Sequence, residues 1–200
     1  MTTAISAKDV ATLRAKTGAG MMDCKKALEE NGGDQVKAED WLRKKGISKA
    51  ESRATRSAAE GLIQSYIHHN GSVGVLIEVN CETDFVARTE DFQNLVKDIA
   101  MHVAAADPLA VSVDDLPKDV VEREKAIFEA QVAESGKPEN VRAKMIEGKL
   151  KKFYQERVLL EQAFVKDDKQ TVGDLVNAAS GKTGEKIAVK RFARFKLGAE

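Results

Sequence analysis

The sequence predicts an α+β protein: a small helical unit followed by an antiparallel sheet packed with helices. Three observations carry this. Two alternating segments, Gly61–His68 and Ser72–Cys81, flank Asn70-Gly71, a dipeptide that favours chain reversal between antiparallel strands. Several other stretches repeat apolar residues three and four positions apart, the helical period. The chain closes on a further alternating run, Ile187–Leu197. An isolated hairpin does not hold itself together, so this last strand is expected to return to it.

At the N-terminus, Ser6 suits a helix cap over Ala7–Lys16, because its hydroxyl can accept an orphan backbone N–H. Val10, Leu13 and Thr17 share one side, and Gly18 and Gly20 break the helix. Met21, Cys24 and Leu28 recur at helical spacing, giving a second helix over about Met22–Glu30 that ends at Asn31-Gly32-Gly33. Asp34 caps a third, which presents Val36, Ala38, Trp41 and Leu42 and stops near Gly46. Three short helices bury little and offer no deep pocket, which suits recognition. Residues 1–46 are therefore assigned to a three-helix partner-binding domain and 61–200 to an α+β core. The Ala- and Ser-rich stretch 47–60 is read as a hinge, partly helical.

Within the core, Val73, Val75, Ile77, Val79 and Cys81 share one face of the second strand, and Gly74, Leu76, Glu78 and Asn80 the other. Cys81–Ala87 leaves that strand. Thr89 or Glu90 opens a helix with an apolar stripe of Phe92, Leu95, Val96, Ile99 and Val103, ended by Asp107-Pro108. A helix over Val120–Glu134 carries Ile127, Phe128 and Val132 and is stopped by Ser135-Gly136. Pro138 opens a long helix toward Tyr154, with Val141, Met145, Gly148 and Lys152 along one track. Val158–Phe164 fits a strand or a loop, and Thr171–Ala179 a short helix. In the final strand Ile187, Val189, Ala193, Phe195 and Leu197 are expected to face the core, with Arg191 interrupting. Lys190, Arg194 and Lys196 are expected outward beside Phe192, guarding an edge.

Composition excludes several classes of function. The 200 residues are 42% apolar with 32 basic and 32 acidic side chains, so a uniformly basic nucleic-acid binder is not expected. The balance is uneven along the chain, +3 over 1–60, −9 over 61–136 and +6 over 137–200. No run approaches the length of an apolar membrane span. The polar N-terminus, with Asp9, has no secretory or presequence pattern. Cys24 and Cys81 form neither a disulfide framework nor a zinc spacing. A cytoplasmic home is expected.

Reactive constellations are not evident. Gly181-Lys182-Thr183 looks like the end of a phosphate-binding loop, but position 176 is Val where that motif needs Gly. His68 and His69, as strand neighbours, point to opposite faces and do not share a metal easily. Glu82 and Asp84, two apart, are placed either on one side or in solvent. Lys149-Leu150-Lys151-Lys152 reads as a solvated helix face without interleaved aromatics. No covalent catalysis, cofactor or direct nucleic-acid binding is expected.

Three segments carry a resemblance. Leu13–Leu28, centred on Thr17-Gly18-Ala19-Gly20-Met21-Met22-Asp23-Cys24, resembles the first signature of the translation elongation factor Ts family. Glu78–Ala87, containing Thr83-Asp84-Phe85-Val86, resembles its second, and Lys144–Phe153 a third shared stretch. The resemblance implies a ubiquitin-associated-like N-terminal domain, an α+β core and guanine-nucleotide exchange on elongation factor Tu, bound in its GDP-loaded and nucleotide-free forms. It implies that Phe85 inserts near the partner's Mg²⁺ site, that Asp84 helps rearrange the adjacent helix, and that Thr83 and Val86 hold the turn. Met21, Met22 and Lys25 look like the family's first contact patch, with Arg14 at its edge. Helical geometry separates the two methionines, and Met21 is expected partly inward, Met22 outward. The longer bacterial form has a second core subdomain and a protruding helical hairpin. This chain, with about 35 residues between Phe153 and the final strand, resembles the short form, in which a homodimer can complete the binding surface. No cysteine follows Cys81, so any dimer is expected to be non-covalent at that end.

Overall fold

The computed structural model describes residues 5–17, 19–134 and 136–199, with side chains except at 46–52 and 54. Gly18 and Ser135, read as helix breakers, lie outside the described residues. Three helices come first: α1 (Ala7–Thr17), α2 (Met21–Glu30) and α3 (Gln35–Ala54). Ser6 Oγ accepts the Asp9 amide at 3.1 Å, and the Asp34 carboxylate accepts the Val36 and Lys37 amides at 3.0 Å. The Lys37 amide holds the Asp34 carboxyl below the usual carboxylate range. Val10, Leu13, Cys24, Ala27, Leu28, Ala38 and Leu42 close a small core of their own. Val36 is exposed, contrary to expectation. Ala38 and Leu42 set the buried stripe, and two residues at about 100° each put Val36 on the opposite side. The third helix does not stop at Gly46 but runs to Ala54. One interior glycine costs only about 1 kcal/mol, and the sequence after it is rich in helix formers.

The larger part contains β1 (Glu60–Ile67), β2 (Val73–Cys81), α4 (Asp84–Ala87), α5 (Glu90–Ala106), α6 (Lys118–Ala133), α7 (Glu139–Arg157), β3 (Ala163–Phe164), β4 (Asp167–Thr171), α8 (Val172–Thr183) and β5 (Ala188–Lys196). The main sheet is antiparallel in the order β1-β2-β5, so the final strand returns to the hairpin as expected. The molecule is α+β. Val75, Ile77, Val79 and Cys81 of β2 pack on Phe92, Val96, Ile99 and Val103 of α5 and on Val172 and Val176 of α8. Gly61 is required where β1 crosses β2: its φ is 146°, and a Cβ there would lie 2.2 Å from the Val79 carbonyl oxygen.

The orientation of β5 departs from expectation. Val79 pairs with Val189 but Glu78 with Arg191, so Lys190 is an extra residue in the ladder. One inserted residue swaps the faces of everything beyond it. Ile187 and Val189 point inward as expected, whereas Phe195 and Leu197 turn outward and are 72% and 76% exposed. Phe192 packs on the core, and Arg194 reaches back to the Ala104 carbonyl at 3.1 Å and Asp107 at 3.0 Å.

Two further differences concern the region before β5. Helices α6 and α7 pair with each other as a helical hairpin, the feature expected only of the longer form. Ala110, Leu116 and Val158, with Val121, Phe153 and Tyr154, anchor its base. The segment Val158–Phe164 is a 3₁₀ turn over Leu159–Glu161 leading into β3, which pairs with β4 in a separate small sheet. His68 and His69 lie beyond β1 rather than within it, with ring centroids 4.3 Å apart. Among the described residues no three side chains are grouped to hold a metal, and no helix is long and apolar enough to cross a membrane.

Candidate functional site

The tip between β2 and α5 is built by two consecutive caps. Thr83, two residues beyond the strand and extended at φ −129° and ψ 154°, accepts the Val86 amide on Oγ1 at 3.4 Å, starting the single turn of α4. Thr89 then accepts the Phe92 amide at 3.3 Å and starts α5, while its hydroxyl donates to the Val86 carbonyl at 2.8 Å. Val86 and Ala87 pack against the main core. The same turn points Phe85 the other way, 78% exposed. Asp84 pairs with Arg88 one turn on, at 2.8 Å, with both partners largely in solvent.

Below the tip lies a dense polar junction. The Glu185 carboxylate follows Gly184, the left-handed cap of α8 at φ 77°. Its Oε2 accepts the Glu82 and Thr83 amides at 3.1 Å each, and its Oε1 accepts the Thr83 hydroxyl at 2.6 Å. Glu82 returns the arrangement: its carboxylate accepts the Lys186 amide and the Arg56 guanidinium, the latter at 3.3 Å. The Lys186 amide, helped by Arg56, holds the Glu82 carboxyl below the usual range. Arg56 also donates to the Gly184 carbonyl at 3.3 Å, and Lys186 Nζ to the Arg56 carbonyl at 2.9 Å. Arg53, buried at the end of α3, donates to Ser180 Oγ at 3.1 Å. Fully buried Cys81 donates its thiol to the Thr83 carbonyl at 3.1 Å; burial, then the Glu185 charge, pushes that thiol up. Nothing here has the geometry of a nucleophile and its base. The junction fixes a backbone, and the tip presents one aromatic ring.

Thr83, Asp84, Phe85 and Val86 are thus brought together as one turn, while Glu82 and Asp84 diverge, one into the junction and one toward Arg88. In the three-helix unit Met21 and Met22 are 51% and 73% exposed at the start of α2, so both face out, Met21 less so. Lys25 is exposed one turn along and lies 3.8 Å from Glu29, and Arg14 is exposed near the end of α1. Sequence reasoning missed Glu185 and Arg56. The only local sign of Glu185 was a carboxylate between a glycine helix cap and a strand.

Comparison with known proteins identifies relatives of the chain. A family model described as Elongation factor TS matches residues 46–199. A protein named Elongation factor Ts from Syntrophobacter fumaroxidans is 56% identical over 200 residues, covering the whole of both chains. One from Moorella thermoacetica is 57% identical over 97% of this chain and 96% of its own. One from Anaeromyxobacter dehalogenans is 59% identical over 97% of this chain and 89% of its own. Matches of this extent leave one conclusion: the chain belongs to the elongation factor Ts family.

Proposed function

We propose that this protein is a guanine-nucleotide exchange factor of translation elongation, acting in the cytoplasm on elongation factor Tu. The observation that carries the reading is Phe85: a large aromatic held out in solvent by a turn anchored through the Glu82, Thr83 and Val86 amides. Exchange needs no covalent chemistry. It needs a surface that binds the nucleotide-free partner better than the nucleotide-bound one, and by reciprocity that preference weakens nucleotide binding by the same factor. A rigid aromatic inserted beside the partner's Mg²⁺ and phosphate cradle meets that need, because Mg²⁺ tolerates little change in its coordination geometry. Asp84 beside it supplies a charge that competes for the partner's own groups. Met21, Met22 and Lys25, with Arg14 at the edge, provide a second hold on the partner; methionine's unbranched side chain adapts to such a surface.

In this reading residues 1–46 are a partner-binding domain and 61–200 the exchange core, joined through 47–60, of which the part to Ala54 is helical. The protein also works as a non-covalent homodimer. Support comes from the sheet face away from α5 and α8, which carries Ile63, Ile67, Leu76, Phe195 and Leu197, all exposed. The direct test of exchange is release of fluorescent GDP from elongation factor Tu with substoichiometric amounts of this protein. Accelerated release with turnover is expected. Binding without acceleration would make the protein a passive partner-binding module.

A further inference from the structure

We propose that Glu185 is the positioning residue of the exchange tip, a proposal that rests on the reading of Phe85 as the inserted group. Phe85 is in α4 and Glu185 in the loop between α8 and β5, 100 positions apart in the chain. The geometry nevertheless converges on one carboxylate. Both oxygens are used, one on the Glu82 and Thr83 amides and the other on the Thr83 hydroxyl. Each of these is a hydrogen bond to a charged acceptor, the stronger class. Together they fix the last two residues before α4, and Thr83 in turn sets α4 through the Val86 amide. Phe85 is the second residue of that turn, so its direction follows from the orientation of Thr83.

The carboxylate is itself held. Gly184 delivers it by a left-handed turn at the end of α8, and the Thr183 hydroxyl accepts the Glu185 amide at 3.3 Å. The Glu185 carbonyl accepts the Ser180 hydroxyl, which also accepts Arg53 of α3. On the opposite side Glu82 binds the Lys186 amide and Arg56. The carboxylates of Glu82 and Glu185 thus each take backbone amides from the other's segment. A group anchored at both ends in this way keeps the ring in one direction before the partner arrives, so less ordering remains to be done on binding.

The test compares Glu185→Ala and Glu185→Asp with the unaltered protein and with Phe85→Ala, measuring GDP release from elongation factor Tu across a concentration series. A fold defect reduces the amount of active protein and raises the half-saturating concentration. A misdirected tip lowers the rate at saturation. The expected result is a saturating rate reduced about tenfold or more in Glu185→Ala, which loses all three hydrogen bonds, where one to a charged group is alone equivalent to about that factor. The Glu82 and Thr83 amides are expected to exchange with solvent faster in the same variant. Glu185→Asp, one methylene short of both amides, falls in the same direction and carries the test if the alanine variant is too unstable to assay. Adding Glu185→Ala to Phe85→Ala produces no further loss, since both act through one ring. Wild-type saturating rates in both Glu185 variants, with Phe85→Ala inactive, overturn the positioning role and leave the Phe85 reading intact. Full activity of Phe85→Ala overturns that underlying reading instead.

Discussion

Leaving Phe85 in water forgoes about 1.5–3 kcal/mol that burial of such a side chain contributes elsewhere. Core aromatics such as Phe92, buried to 2% exposure, show what the same residue type does when its role is packing. One aromatic in a short turn has no periodicity to read, so the residues alone do not decide between packing and exposure for Phe85. His102 is the converse case, a polar residue inside the core. Its Nδ1 accepts the Val165 amide at 3.2 Å, so Nε2 bears the proton and donates to Gln162 Oε1 at 3.0 Å. Burial holds its pKa below the ordinary imidazole value. The unfolded chain therefore takes up this proton first as pH falls. The stability tied to neutral His102 is complete above about pH 6.5, the unfolded value, and is lost progressively below it toward the folded pKa. Thermal melting at pH 7.5 and 5.5 should show a lower midpoint at the acid end, and the His102 ring should titrate below the ordinary value by NMR. A ring that titrates above it would contradict this.

Elements differ in how plainly the sequence announces them. The caps Ser6, Asp34 and Thr89 and the stripe of α5 were legible because they depend on residues a few positions apart. The bulge in β5 was half legible: Arg191 at an apparently inward position was its sign, but strand alternation alone reads straight through an inserted residue. The consequence is an apolar outer sheet face where Phe195 lies across from Gly74, itself paired with Ile67. For the proposed homodimer this makes Phe195 the informative position. Arg194 is not one, because it holds the Ala104 carbonyl and Asp107. Sedimentation equilibrium should give twice the 21.8 kDa chain mass. Phe195→Ser should weaken association by about tenfold or more, as truncated aromatic anchors do. A monomer at every concentration would remove the dimer, and unchanged association of the variant would move the interface away from this face.

At the scale of the whole molecule, two of its hydrophobic cores underlie the proposed partner contacts, Met21 and Met22 on one and Phe85 on the other. Arg53 and Arg56, at and just beyond the end of α3, tie the helical unit to the junction beneath the Phe85 turn. That junction was invisible in the sequence because most of its contacts join residues more than 100 positions apart, such as Thr83 and Glu185. On the proposed reading the molecule acts by contact alone, and its effect is expected as a change in the partner's affinity for nucleotide. The most direct measurement is release of fluorescent GDP from elongation factor Tu by the unaltered protein and by Phe85→Ala, with thermal melting and partner binding measured alongside. The account predicts that Phe85→Ala melts as the unaltered protein does and still binds, while its acceleration of release falls by about tenfold or more. Full acceleration by a folded Phe85→Ala protein would contradict it.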